Sequence, residues 1–105
     1  MSLLSDWRRR IDEIDLKLIA LLNERATCAL EIGREKHLTG LPVYQPAREN
    51  EILSNVERAN PGPLPDTAIR RLFERIIDEA RSLERTAHHE KTAAAPAKER
   101  PKIRF

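Results

Sequence analysis

The chain has 105 residues, with 19 lysines and arginines against 17 aspartates and glutamates, three glycines and 4% aromatic residues. That length fits one domain, the scarcity of Gly and abundance of Leu, Ile, Ala, Arg and Glu favour helices over sheet, and a single cysteine excludes an internal disulfide. Residues 88–105 carry five cations and two anions, so the 14 cations and 15 anions of residues 1–87 net to −1, which by composition argues against a nucleic-acid binder.

The first helix is expected from about Leu4 to Leu38, with Ser5 or Asp6 as N-cap and with Thr39-Gly40 and Pro42 closing it. Trp7, Ile11, Ile14, Leu18, Leu21, Leu22, Ala29 and Ile32 recur at helical spacing and fall within roughly 50° either side of one meridian. Such a helix spans roughly 50 Å at about 1.5 Å per residue, whereas a compact chain of this length has a radius of gyration of only about 13 Å. One chain cannot cover an apolar stripe of that length, so a second chain is expected. Cys28 is expected to be a small buried or half-buried apolar residue on this helix.

Arg25 and Lys36 lie within about 20° of the middle of the same stripe, about 16 Å apart along the axis. A buried charge without a partner is costly, so two cations on a buried face call for an anion, such as a small molecule with more than one oxygen anion. Arg8 lies about 100° around the helix from Arg25 and about 25 Å along it, so it can reach the same ligand only from an antiparallel partner helix.

Early charges at Asp6 and Arg8 to Arg10 leave no signal-peptide pattern, and no apolar run has membrane-span length, so a soluble cytoplasmic protein is expected. After a short connection, Val43 to Pro46, a second helix is predicted from Pro46 to Ala59, with Pro46 in its first turn and Ile52, Leu53 and Val56 as its apolar face. It places Arg48 and Glu49 beside that face. Asn60-Pro61-Gly62-Pro63 breaks it. A third helix is predicted from Pro65 or Asp66 to about Ala87, with the stripe Ile69, Leu72, Phe73, Ile76, Ala80 and Leu83 and with Glu84 on its flank. The helical domain thus covers residues 1–87, and 88–105 reads as a disordered charged tail or linker. The adjacent His88 and His89 do not share a helix face, so no metal site is expected.

These residues form no Ser/His or Cys/His arrangement, metal-ligand spacing or Gly-rich phosphate loop. An enzyme built from them uses no nucleophile and no cofactor, and acts by positioning and fixed charge. Each signal also has an ordinary reading: Arg25 extending its head out of the core, Lys36 favouring the helix dipole, Arg8 in a solvated arginine run, Arg48 and Glu49 as an exposed pair. All would have to hold at once for the cluster to mean nothing.

The segments Trp7-Arg8-Arg9-Arg10-Ile11-Asp12-Glu13-Ile14-Asp15, Leu21-Leu22-Asn23-Glu24-Arg25, Glu31-Ile32-Gly33-Arg34-Glu35-Lys36, Pro42-Val43, Pro46-Ala47-Arg48-Glu49 and Leu72-Phe73-Glu74-Arg75-Ile76-Ile77 resemble the all-helical (type II) chorismate mutases over about Leu3 to Ala87. The resemblance implies an all-α, intertwined homodimer of three-helix protomers with two active sites. It also implies the rearrangement of chorismate to prephenate, an intramolecular Claisen step toward phenylalanine and tyrosine, without a cofactor. By resemblance, Arg25 and the partner chain's counterpart of Arg8 bind substrate carboxylates, Arg48 joins the substrate-binding set, Lys36 donates to the ether oxygen and Glu49 accepts from the ring hydroxyl. Glu84 matches the position, Gln or Glu in the family, that donates to the same ether oxygen. Ala80 stands where some relatives carry a Ser that helps hold a carboxylate, a loss of about one hydrogen bond or about 1 kcal/mol. Gln45 stands where some carry Asp, the backbone amide there being the more important contact.

A carboxylate cannot donate, so Glu84 must be protonated to serve the ether oxygen. Burial favours the neutral form and the neighbouring cations the ionised one. Rival readings are an isochorismate pyruvate lyase of the same fold, against which Glu49 argues, a non-catalytic helical dimerisation module, and a nucleic-acid-binding module, weakened by the near-neutral charge of residues 1–87.

Overall fold

A computed structural model describes residues 2–93 of the chain, with side-chain surroundings as far as Ala87. It contains three helices and, among the described residues, no strand: α1 (Leu3–Thr39), α2 (Pro46–Ala59) and α3 (Asp66–Ala93). No helix of the described residues is long and apolar enough to cross a membrane.

The start of α1 lies earlier than expected. Ser2, not Ser5 or Asp6, is the N-cap: its hydroxyl accepts the Ser5 backbone N–H at 3.0 Å. At the other end Gly40 takes the left-handed conformation at φ 79°, and the Leu41 and Gly40 N–H groups return to the carbonyls of Lys36 (2.8 Å) and His37 (3.4 Å). This Schellman closure turns the chain back along α1 and so positions the connection to α2. Pro46 opens α2. After α2, the Asn60 side-chain amide donates to the Leu64 carbonyl (2.7 Å) and to Asp66 Oδ1 (2.8 Å), which organises the break before α3. The third helix runs six residues past its expected end at Ala87, because His88–Ala93 contains neither Gly nor Pro to stop it. The rest of the expected charged tail lies outside the described residues.

The helix α3 packs against both α1 and α2, which do not pack on one another. Among the described residues the buried apolar residues are Ala29, Leu53 and Ile77, and Gly33 is buried as well. The α1 stripe is largely uncovered: Trp7 and Leu21 are each 61% exposed, and Ile11, Ile14, Leu18, Leu22 and Ile32 are also exposed. The Cα radius of gyration, 17.2 Å, exceeds the roughly 13 Å of a compact chain of this size. The helix α3 thus joins the other two, and the space between α1 and α2 beside it holds the candidate site.

Candidate active site

Because α1 and α2 diverge over α3, a cavity of about 490 Å³ opens between them. One arm, α1, contributes Arg25, Cys28, Ala29, Ile32 and Lys36. The connection and α2 contribute Val43, Gln45, Arg48, Glu49 and Ile52, and α3 forms the floor with Ile77, Ala80, Arg81 and Glu84. Seven of the eight residues singled out from the sequence therefore share one cavity. The eighth, Arg8, is exposed near the N-terminus of α1 and does not line it.

Cys28 departs from its expected burial: in the single chain it is exposed and lines the cavity wall. Arg25 is half-buried and makes no ion pair or hydrogen bond through its side chain among the described residues. The Lys36 ammonium donates to the Val43 carbonyl at 3.1 Å and to Glu84 Oε1 at 3.4 Å. The Schellman turn brings that carbonyl back over Lys36, so the cap that ends α1 also fixes its last functional side chain.

Glu84 reaches Lys36 across a bare patch of α1. A Cβ built on Gly33 would lie 3.0 Å from Glu84 Cγ and 3.1 Å from Oε1, so the Glu84 side chain lies directly on the Gly33 backbone. Glycine is favoured there by close approach, not by backbone angle.

Arg48 and Glu49, adjacent in sequence, take different partners. Arg48 Nη1 donates to Glu51 Oε1 at 2.7 Å on the exposed flank of α2. Glu49 faces α3 and is forked by Arg81, which contributes Nη2 to Oε1 (2.8 Å) and Oε2 (2.9 Å) and Nε to Oε2 (3.2 Å). The Arg81 guanidinium lies 4.9 Å from the centroid of the Tyr44 ring. Sequence reasoning passes over Arg81, although it stands three residues before Glu84 and hence on a neighbouring face of α3. Ala80 lines the floor with no hydrogen-bonding group, and Gln45 sits where α2 begins, its backbone carbonyl accepting the Glu49 N–H at 3.1 Å.

The lining thus holds four cations (Arg25, Lys36, Arg48, Arg81) and two carboxylates (Glu49, Glu84), a formal +2 set among aliphatic side chains. Away from the cavity, Arg70 ties α3 to α2 by donating to Glu57 at 3.0 Å, a hydrogen bond that raises its already high pKa. Among the described residues no cluster of His, Cys, Asp and Glu is placed to hold a metal ion. A cationic cavity without an activated nucleophile can bind and orient an organic dianion and oppose negative charge that develops within it.

Comparison with known proteins matches residues 7–85 to the family model described as chorismate mutase type II. The chain is 45% identical over 84 residues to the bifunctional chorismate mutase/prephenate dehydratase of Neisseria gonorrhoeae, covering 80% of this chain and 23% of that protein. It is 34% identical over 55 residues to a chorismate mutase of Methanocaldococcus jannaschii, covering 52% of this chain and 56% of that one. Among solved structures, chorismate mutase (form II) of Thermus thermophilus superposes with a TM-score of 0.79 at 38% identity, covering 80% of this chain and 96% of that one. The chain spans about a quarter of the length of the bifunctional relatives.

Proposed function

Because the chain belongs to the type II chorismate mutase family, we propose that it rearranges chorismate to prephenate in the cavity between α1 and α2. The observation that carries this reading is the formal +2 lining itself, in which Arg25 has no protein partner among the described residues while Lys36 is held over the floor. Chorismate is a dianion with a ring hydroxyl and an ether oxygen. The cavity, about 490 Å³, is within the range of about 300–1,000 Å³ that small-molecule sites occupy.

The reaction is an isomerisation: the ether C–O bond breaks as the new C–C bond forms, and no atom enters or leaves. The cavity needs to fold the substrate into a chair-like form and to oppose the negative charge that grows on the ether oxygen. Arg25 binds a carboxylate, Arg48 hydrogen-bonds around the ring and the carboxylates, Lys36 and a protonated Glu84 donate to the ether oxygen, and Glu49 accepts from the ring hydroxyl. Gln45 borders the same space, and Ala80 leaves one carboxylate contact to other groups. A barrier reduction of about 8 kcal/mol, low among enzymes, falls within reach of orientation and preorganised charge.

The reading includes a homodimer in which Arg8 of one protomer completes the other's cavity. Two facts support it: the exposed stripe from Trp7 to Leu22, and the distance of about 25 Å that separates Arg8 from Arg25 along one helix. It also includes a cytoplasmic location, which cell fractionation tests.

The decisive experiment follows chorismate absorbance with purified protein, wild type beside Lys36→Ala, with isochorismate assayed in parallel. Turnover of chorismate that Lys36→Ala abolishes supports the reading. Pyruvate release from isochorismate alone replaces it with the lyase, and inertness toward both substrates leaves a non-catalytic helical module.

A further inference from the structure

We propose that Arg81 is a positioning residue that fixes the orientation of the Glu49 carboxylate, and that this sets the cavity's selectivity for a substrate carrying the ring hydroxyl. The inference rests on the chorismate reading above and adds to it a residue that neither the sequence pattern nor the reaction scheme used.

An ionised carboxylate offers about four acceptor sites, two on each oxygen. Arg81 engages both oxygens of Glu49 side-on, Nε reaching Oε2 at 3.2 Å and Nη2 reaching Oε1 at 2.8 Å and Oε2 at 2.9 Å. The fork fixes the plane of the carboxylate, so its remaining acceptor capacity points in set directions. Two further contacts hold the fork. Nη2 lies 3.3 Å from Asp78 Oδ1, and the Tyr44 ring stacks on the guanidinium at 4.9 Å. The connection, α2 and α3 therefore converge on one guanidinium, and Glu49 cannot turn its carboxylate without breaking the fork. Both side chains are about one-fifth exposed and both line the cavity.

A carboxylate aimed in this way accepts from a hydroxyl at one place and offers nothing to a hydrogen or an ether there. An analogue lacking the hydroxyl leaves that site dry and unmatched, which is the arrangement that rejects analogues most strongly. Without the fork Glu49 is free to turn outward, and the cavity loses the distinction while keeping its other cations. A fork that merely fastened α2 to α3 would lower activity toward every substrate alike.

The test measures kcat/KM for chorismate and for its analogue lacking the ring hydroxyl, using the full chain. Wild type is expected to favour chorismate at least a hundredfold. Arg81→Met is expected to cut that preference at least tenfold, chiefly by lowering turnover of chorismate. Arg81→Lys keeps the charge and the aliphatic stem but not the fork; it is expected to move the ratio in the same direction, and it serves in place of Arg81→Met if that variant misfolds. If either folded variant lowers both rates by the same factor, or lowers neither, the proposal is overturned while the chorismate reading stands. A wild-type chain inert toward both compounds overturns the two together.

Discussion

Lys36 and Glu84, 48 positions apart on α1 and α3, meet at 3.4 Å with side chains only 14% and 9% exposed. Among the described residues the pair is the one charged contact that joins these two helices at the cavity, and it links their packing to the chemistry proposed between them.

Lys36→Ala removes the donor and leaves the Glu84 carboxylate without its partner. A single preorganised donor to developing charge is worth on the order of 10²–10³ in turnover. The expected loss in kcat/KM is of that size, with a stability loss of about 1–3 kcal/mol from the unpaired carboxylate. In Lys36→Ala/Glu84→Gln the stability is expected to recover while the activity does not. Chorismate assays beside thermal or urea unfolding measure both, and a double variant as unstable as the single one rules out the pairing argument.

Glu84 can donate only when protonated, so the active form is the acidic one and kcat is expected to fall as pH rises. Its charged partner in the cavity is Lys36 on α1, at 3.4 Å. Glu84→Gln donates at any pH and is expected to flatten the profile. A wild-type rate that stays constant across about pH 5–9, unchanged by the Gln variant, would remove Glu84 from the reaction scheme.

The same carboxylate depends on the absence of a side chain at Gly33. A methyl there meets Glu84 Cγ at 3.0 Å and Cβ at 3.4 Å, so the Glu84 side chain must give by a few tenths of an ångström, which shifts its carboxyl relative to Lys36. Alanine favours a helix interior by about 1 kcal/mol over glycine, which offsets part of the packing loss. Gly33→Ala is therefore expected to hold its melting temperature within a few degrees of wild type while kcat falls about ten- to a hundredfold, the scale of a small misplacement of a reacting group. A melting temperature that drops steeply with kcat points instead to a general failure of the α1–α3 contact.

Much of this architecture is written locally. Pro46 and the Asn60-Pro61-Gly62-Pro63 run give the bounds of α2, and Gly40 marks the end of α1, because each acts through its own backbone. The N-cap is ambiguous in the sequence because Ser2, Ser5 and Asp6 are all competent caps, and only the folded chain selects Ser2. Arg25 and Lys36 are legible because charge on an apolar stripe is anomalous within a single helix. Arg81 is not, since its meaning lies in Glu49 on another helix and in the stacked Tyr44, neither of which helical periodicity relates to it. The α1 stripe is legible by its periodicity yet exposed in the single chain, and its cover is proposed to come from a second.

That proposal makes a prediction no monomeric site can meet. If Arg8 of one protomer serves the cavity of the other, then Arg8→Ala and Lys36→Ala each damage both sites of a homodimer, but they damage the same site in a mixed dimer. The other site of that mixed dimer then draws its intact Arg8 and Lys36 from different chains and is whole. Random reassembly of the two inactive variants gives half mixed dimers with one good site each, so about a quarter of wild-type activity returns. Mixing after denaturation, or co-expression with two tags and tandem purification, measures this. If the N-terminal stripe is the interface, Leu18→Glu should abolish both the dimer and the complementation. Recovery indistinguishable from zero, with mixed dimers demonstrably present, means that Arg8 serves its own chain or none, and the shared site falls.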